Sequence, residues 1–386
     1  MFGLKCLLGL LILSGCSFAE EVPDYVPQVG AFPPPHSGTY LAGELMYMDV
    51  VNRRGGIRLD GNPGNRYDDG PLHYFALLPY GMLYVHGAPA ELRDIPLGTH
   101  VHGYFYVPPK GEEETIPPLP AEQQKHAVKQ NHAISLEDDF SFYQRRGQAW
   151  KIASIDLDRG KLAVIPEGPL AEDGINKAYT FDIDTVTRVW KKRAMVDLED
   201  LEPGTRVQLN LAWSIGWRDK EFGVSDIWLD EEGRTFATEL QRRRHIRYQK
   251  QRWVPGWIDA VEHNDFGGGF VTITFFGGMD PSLYQAFKDQ QAEGFGVACS
   301  EKTLRTWFHR ADKLIGQVVE WEEHGEPPPG SSGIQIRLKF KELLDGYRPG
   351  NIVRLKCNDW IFVTVPPEER MHTLEGRDRS LRMVLP

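Results

Sequence analysis

The chain has 386 residues, 41% of them hydrophobic, with 10 Trp and 19 Phe. That is the composition of a globular protein, and the length exceeds what one hydrophobic core serves, so two to four domains are expected. A formal net charge of −10 repels a phosphate backbone and excludes nucleic acid as an expected partner.

Residues 1–19 read as a targeting segment. Lys5 is the only charge ahead of the apolar run Leu7 to Leu13, which is too short to span a bilayer and is followed by small residues. Leu13-Ser14-Gly15-Cys16 has the form of a bacterial lipobox, so Cys16 is the expected lipidation site; cleavage after Ala19 is the alternative. The first reading gives a lipoprotein of the periplasm or outer membrane, the second a soluble secreted protein. Residues 20–37 carry Pro23, Pro27, Pro33, Pro34 and Pro35 and read as a Pro-rich tether. No later stretch is long and apolar enough to cross a membrane as a helix, so membrane contact is expected only through the lipid.

Three stretches then share one form: Gly43 to Asp49, Trp150 to Asp156 and Gly256 to Glu262. Each alternates apolar and polar residues, as a half-buried strand does, and each closes on an acid. The closing acids lie 107 and 106 positions apart, which sets a unit of about a hundred residues used three times. A Gly-rich turn and a second strand follow at 56–59, 161–165 and 270–274, and a third is expected at 74–78, 179–183 and 295–298. A Gly turn recurs after that, as Leu92 to Thr99 and Leu198 to Thr205, with a degenerate third copy at Ala311 to Gly316.

The expected fold is mainly all-β: three tandem small β-barrel or OB-like units with a few connecting helices. Unit one covers residues 38–110, a linker 111–147, unit two 148–230, a helical connector 231–254, unit three 255–365 with inserts, and a polar tail 366–386. A second helix is expected at Asp280 to Glu293, opened by an Asp-Pro pair. Phe340 to Val365 should supply last strands around a turn at Tyr347-Arg348-Pro349-Gly350.

The string Leu198 to Val207, with its looser copy Leu92 to Val101, resembles a motif of uncharacterised bacterial exported proteins built from small OB-like β-barrel repeats. The resemblance spans most of residues 38–365. It implies a fold and an envelope setting, and it brings no catalytic residue with it.

Candidate chemistry is sparse. Neighbours two apart on a strand share a face, so His100 and His102 could reach one ion of the Zn²⁺ or Cu²⁺ kind, with His86 nearby in sequence. Against this, the repeat places Arg206 and Gln208 at the matching positions of unit two, so the pair reads as the polar, solvent face of a strand. Cys6 lies in the leader and Cys16 is lipidated or lost; Cys299 and Cys357 are expected to pair as one disulfide, two buried thiols being the alternative. Arg242, Arg243, Arg244, Arg247, Lys250 and Arg252 form a basic run expected to face acidic surface of this protein or a partner. The clusters Glu137-Asp138-Asp139 and Asp226 to Glu232 read as solvated turns, and Trp190, Trp213, Trp217 and Trp228 as core or joint. No nucleophile elbow, phosphate loop, zincin helix or dinucleotide fingerprint is present. The expected function is a non-catalytic envelope scaffold or binding protein, partnered by an envelope protein or polymer; the alternative is a metal-binding protein or metal-dependent hydrolase built on the His-x-His pair.

Overall fold

The computed structural model describes residues 25–50, 53–60, 72–106, 130–172, 174, 177–213, 222–299 and 313–360. The targeting segment with Cys16, Trp217 and the tail 366–386 lie outside the described residues.

The chain forms three small closed β-barrels in tandem, and each of the nine stretches read from the sequence coincides with a strand. Barrel one comprises β1 (Thr39–Asp49), β2 (Arg54–Leu59), β3 (His73–Val85), the short β4 (Ala88–Pro89), β5 (His100–Tyr106) and β6 (Gln130–Asp138). It closes in the order β1-β2-β3-β6-β5, with β3 and β6 parallel and the other pairs antiparallel. The closing strand β6 and the following α1 (Asp139–Arg145) come from residues 111–147, where only a linker was expected.

Barrel two has β7 (Ala149–Asp156), β8 (Lys161–Glu167), the one-turn α2 (Pro169–Glu172), β9 (Tyr179–Asp182), the added hairpin β10 (Arg188–Lys191) and β11 (Ala194–Val196), β12 (Arg206–Ala212) and β13 (Gly223–Trp228). Its ring, β7-β8-β9-β13-β12, repeats the order of barrel one, with β9 and β13 parallel. This is the OB-like closure. Helix α3 (Glu231–Arg252) then leads to barrel three: β14 (Val254–His263), β15 (Gly269–Phe276), α4 (Pro281–Asp289), β16 (Phe295–Ala298), β17 (Lys313–Glu323), β18 (Ser331–Phe340) and β19 (Ile352–Lys356). It closes with six strands, β14-β15-β18-β17-β16-β19, and no parallel pair.

One local device explains the repeat. The first strand of each barrel carries a bulge, at Leu45/Tyr47, Ile152/Ser154 and Ile258/Ala260. The residue ahead of the bulge is core, with Leu45, Ile152 and Ile258 at most 1% exposed. The bulge bends the strand so that it can close on both neighbours. Its backbone is pinned by the Gly turn: Gly98, Gly204 and Gly350 each donate N–H to the carbonyl of Leu45, Ile152 and Ile258 at 2.8 Å. These glycines have φ of 89°, 89° and 84°, a left-handed conformation that a side chain would strain. The third Gly turn is therefore Tyr347 to Gly350, not Ala311 to Gly316. Gly316 lies inside β17, because the bulge and the turn are 92 residues apart in barrel three (258 to 350), against 53 (45 to 98) and 52 (152 to 204) in the others, with the long β17–β18 pair in between.

Each barrel has its own buried core. A fourth aromatic cluster joins barrels one and three, and the expected tether enters it. Phe32 packs on Tyr80 of barrel one at 5.2 Å and on Phe276 and Trp257 of barrel three at 6.1 and 6.5 Å. From Tyr25 onward the Pro-rich segment is thus a strap across a seam.

Helix α3 begins where expected, capped by Asp230, whose carboxylate accepts from Gly233 N–H at 2.6 Å. Its buried stripe is polar: Gln241, His245, Gln249 and Arg252. Gln241 donates to Asp94 at 3.1 Å and Gln249 to Glu91 at 2.5 Å, so the helix is held to barrel one by hydrogen bonds rather than by an apolar stripe.

The disulfide expected between Cys299 and Cys357 is not formed. In the β16–β19 ladder Ala298 faces Arg354. Cys299 therefore falls opposite Val353, four residues or about 13 Å of strand from Cys357, beyond the reach of about 7 Å between Cα atoms. Burial pushes the Cys357 thiol up to about 12.

Candidate metal centre

His100 and His102 do not face solvent. They are 2% and 1% exposed. The reason lies after β6. Asp138 ends that strand and caps α1, accepting from Ser141 N–H at 2.8 Å, so the chain turns back over the histidine face of β5. Phe142 then stacks on the His102 ring at 3.7 Å between centroids and 8° between planes. Phe222, ahead of β13, meets the His100 ring edge-on at 4.7 Å. The run Glu137-Asp138-Asp139, read as a solvated turn, is the buried hinge of this arrangement, each residue at most 3% exposed.

Barrel two completes the enclosure. Leu211 N–H donates to Asp139 Oδ2 at 2.9 Å, and the Asn210 side chain donates to Asp138 at 2.9 Å while accepting from Phe140 N–H at 2.7 Å. The site is therefore a joint between the first two barrels. Trp228 packs at the same joint, against Phe140 and the His86 ring.

At the centre, two imidazoles converge on one carboxylate oxygen. His100 Nδ1 lies 2.7 Å and His102 Nε2 2.9 Å from Asp139 Oδ1. His100 Nε2 lies 3.0 Å from Asp60 Oδ2, and the Tyr40 hydroxyl 2.7 Å from His102 Nδ1. Asp60 sits at the mouth, its side chain 24% exposed. His86 stays out of the group: its ring approaches Asp138, at 3.8 Å, and its backbone N–H donates to that carboxylate.

These distances fix the protonation pattern. Both nitrogens of His100 face carboxylates, so both carry protons and the ring is an imidazolium. Burial alone would depress it, but the charges of Asp139 and Asp60 outweigh burial and hold His100 well above its ordinary value. For His102 burial wins, and its pKa is lowered despite the bond to Asp139. It is neutral, donating from Nε2 to Asp139 and accepting from Tyr40 at Nδ1. Burial would raise Asp139, yet the two histidines together hold it below the usual carboxylate range.

The donor set suits a borderline divalent cation. The ligand atoms of His100, His102 and Asp139 lie within 4.8 Å of one another, while Asp60 meets the opposite nitrogen of His100 and holds that ring from outside the group. Two imidazoles with carboxylate oxygen is a Zn²⁺ or Cu²⁺ combination. Tyr40 on His102 and Leu211 on Asp139 are the outer hydrogen bonds that orient such ligands.

The other candidates fall elsewhere. Asp226 is buried and accepts from Arg188 and the Trp190 indole, a structural pairing where a solvated turn was expected. Arg242 pairs with Asp280, and Arg252 is fully buried. Arg243, Arg244, Arg247 and Lys250 are exposed. Asp60 and Asp139 were not singled out as ligands from the sequence. No spacing rule links them to β5, although the Asp138-Asp139 pair opening a short helix was a readable cap.

No protein-family model matches the chain, and no curated protein does. Among solved structures, the Ag(I) form of CusF is similar at 17% identity over 22% of this chain and 95% of that one, with a TM-score of 0.16. Two further structures of CusF from Escherichia coli, a tryptophan-to-alanine variant with Cu(II) and another Ag(I) form, match at 16% identity over 22% of this chain and 90% of theirs, also at 0.16. At that TM-score the likeness carries no argument about what this chain binds.

Proposed function

We propose that this is a non-catalytic, exported binding protein of the cell envelope that takes up one Zn²⁺ or Cu²⁺ ion at the joint of its first two barrels. His100, His102 and Asp139 are the ligands, and Asp60, on the other nitrogen of the His100 ring, orients that ring from outside. The observation that carries this reading is the convergence of two imidazoles on a single buried carboxylate oxygen, with a second carboxylate at the mouth. The three ligands are at most 2% exposed and Phe142 and Phe222 pack on the two imidazole rings, a closed setting that supports ion binding over catalysis on a substrate. The lipobox form of residues 13–16 supports the envelope setting. A partner protein or polymer of the envelope is part of the same proposal.

Uptake displaces the protons that His100 and His102 now share with Asp139, so binding should weaken as pH falls. Equilibrium dialysis against zinc and copper at neutral pH is the test. About one equivalent per chain is expected, with affinity falling at least about tenfold in Asp139→Asn and in His102→Ala, the scale of losing one ligand bond. Equal uptake by wild type and His100→Ala/His102→Ala would assign the cluster to holding the joint and nothing more.

A further inference from the structure

Helix α3 sorts its cations. Arg234 pairs with Glu231 at 2.7 Å, Arg242 with Asp280, and Arg252 is buried at the base of barrel three. Arg243, Arg244, Arg247 and Lys250 remain exposed; Arg243 donates to the Glu239 carbonyl of its own helix at 3.3 Å and Lys250 lies over the Trp360 ring at 5.8 Å. At 100° per residue these four positions fall on one face of the helix. Leu240, 39% exposed, lies on the same face. The opposite face, with Gln241, His245 and Gln249, is the one committed to the barrels.

We infer that the exposed face of α3 formed by Arg243, Arg244, Arg247 and Lys250 docks on a bilayer surface carrying anionic phospholipid headgroups. Four exposed cations against one exposed carboxylate in the adjoining turn, Glu239, in a chain of net charge −10, form a patch complementary to a polyanion. Three of the four are arginines, whose planar fork binds phosphate oxygens in pairs. The four cations span residues 243–250, about 10 Å along one side of the helix, a footprint that covers a few headgroups. Leu240 adds one apolar side chain at the depth where headgroups meet acyl chains. The chain ahead of the strap fits as well. From Cys16 to Tyr25 is nine residues, at most about 30 Å when extended, so a lipid on Cys16 would keep the barrels within one helix length of the bilayer. Electrostatic docking of this kind is screened by salt.

The test is co-sedimentation of the full chain carrying Cys16→Ser, so that no acyl group anchors it, with vesicles of phosphatidylglycerol and phosphatidylcholine and with phosphatidylcholine alone. Binding to the anionic vesicles only is expected, lost when salt is raised from about 50 mM to about 500 mM. Arg243→Glu with Arg247→Glu should lower it at least about tenfold, as two attractive charges become repulsive. An unchanged unfolding midpoint would show that this exposed pair leaves the fold intact. Equal binding by the variant, or no binding by the parent, would overturn the inference. Capture on polyglutamate without vesicle binding would overturn it in favour of an acidic protein partner.

Discussion

Replacing Asp139 with Ala is expected to destabilise the protein by about 3–5 kcal/mol, the scale of breaking a buried ion pair from one side. Asp139 is 2% exposed and serves four roles at once. It neutralises the His100 imidazolium, accepts from His102, takes the Leu211 amide of barrel two, and opens α1. Ala leaves a buried cation facing only Asp60 and an amide without its acceptor. Urea unfolding of metal-free protein reads this directly. Combining Asp139→Ala with His100→Leu should cost less than the two separate losses added together, because the second change removes the charge that the first left exposed to a low-dielectric interior. Strict additivity would mean that the two side chains do not act as a pair.

The protein should lose stability between about pH 6.5 and 4, before most of its carboxylates are protonated. His245 is buried and His132 half-buried, and desolvation lowers each to about 4; for His245 the Asp280 charge opposes the effect only in part. Each binds its proton more readily in the unfolded chain, near pH 6.5, than in the folded one. Their contribution is therefore complete above about pH 6.5 and lost as pH falls toward 4, at about 3 kcal/mol apiece. The urea midpoint should drop steeply between pH 7 and 4.5, and His245→Gln or His132→Gln should flatten that drop. His100 works in the opposite sense. Its raised pKa gives stability that is full below about pH 6.5 and fades as pH rises through the folded value. A midpoint that does not move between pH 7 and 4.5 would show that these histidines are not buried as neutral rings.

The strands were legible because each lies on a half-buried surface whose alternation of polar and apolar residues is local. Leu45, Ile152 and Ile258, each heading a bulge, keep the same spacing as the closing acids since the bulge is built from adjacent residues. The third Gly turn was misplaced because constant spacing assumes constant connections, and barrel three inserts strands before Gly350. The histidines were misread for a related reason. The repeat does place Arg206 and Gln208 at the positions of His100 and His102, but a strand face is exposed only if nothing folds over it. Here α1 and β12 do, and neither is a neighbour of β5 in sequence. Asp60, in the turn after β2, reaches His100 through the closure of the barrel, which no motif records. The disulfide failed on register, since cysteine count and export context say nothing about which rung of a ladder a thiol occupies. Phe32 looked like part of a spacer because proline sets the backbone and leaves the aromatic side chain free to dock.

X-ray absorption at the zinc edge, on protein loaded with one equivalent and dialysed, reads the ligands at the joint of barrels one and two. Two imidazole nitrogens together with carboxylate oxygen at about 2.0–2.2 Å are expected, with one imidazole fewer in His102→Ala. A shell of water oxygens alone, or sulfur at about 2.3 Å from Cys299 or Cys357, would contradict it.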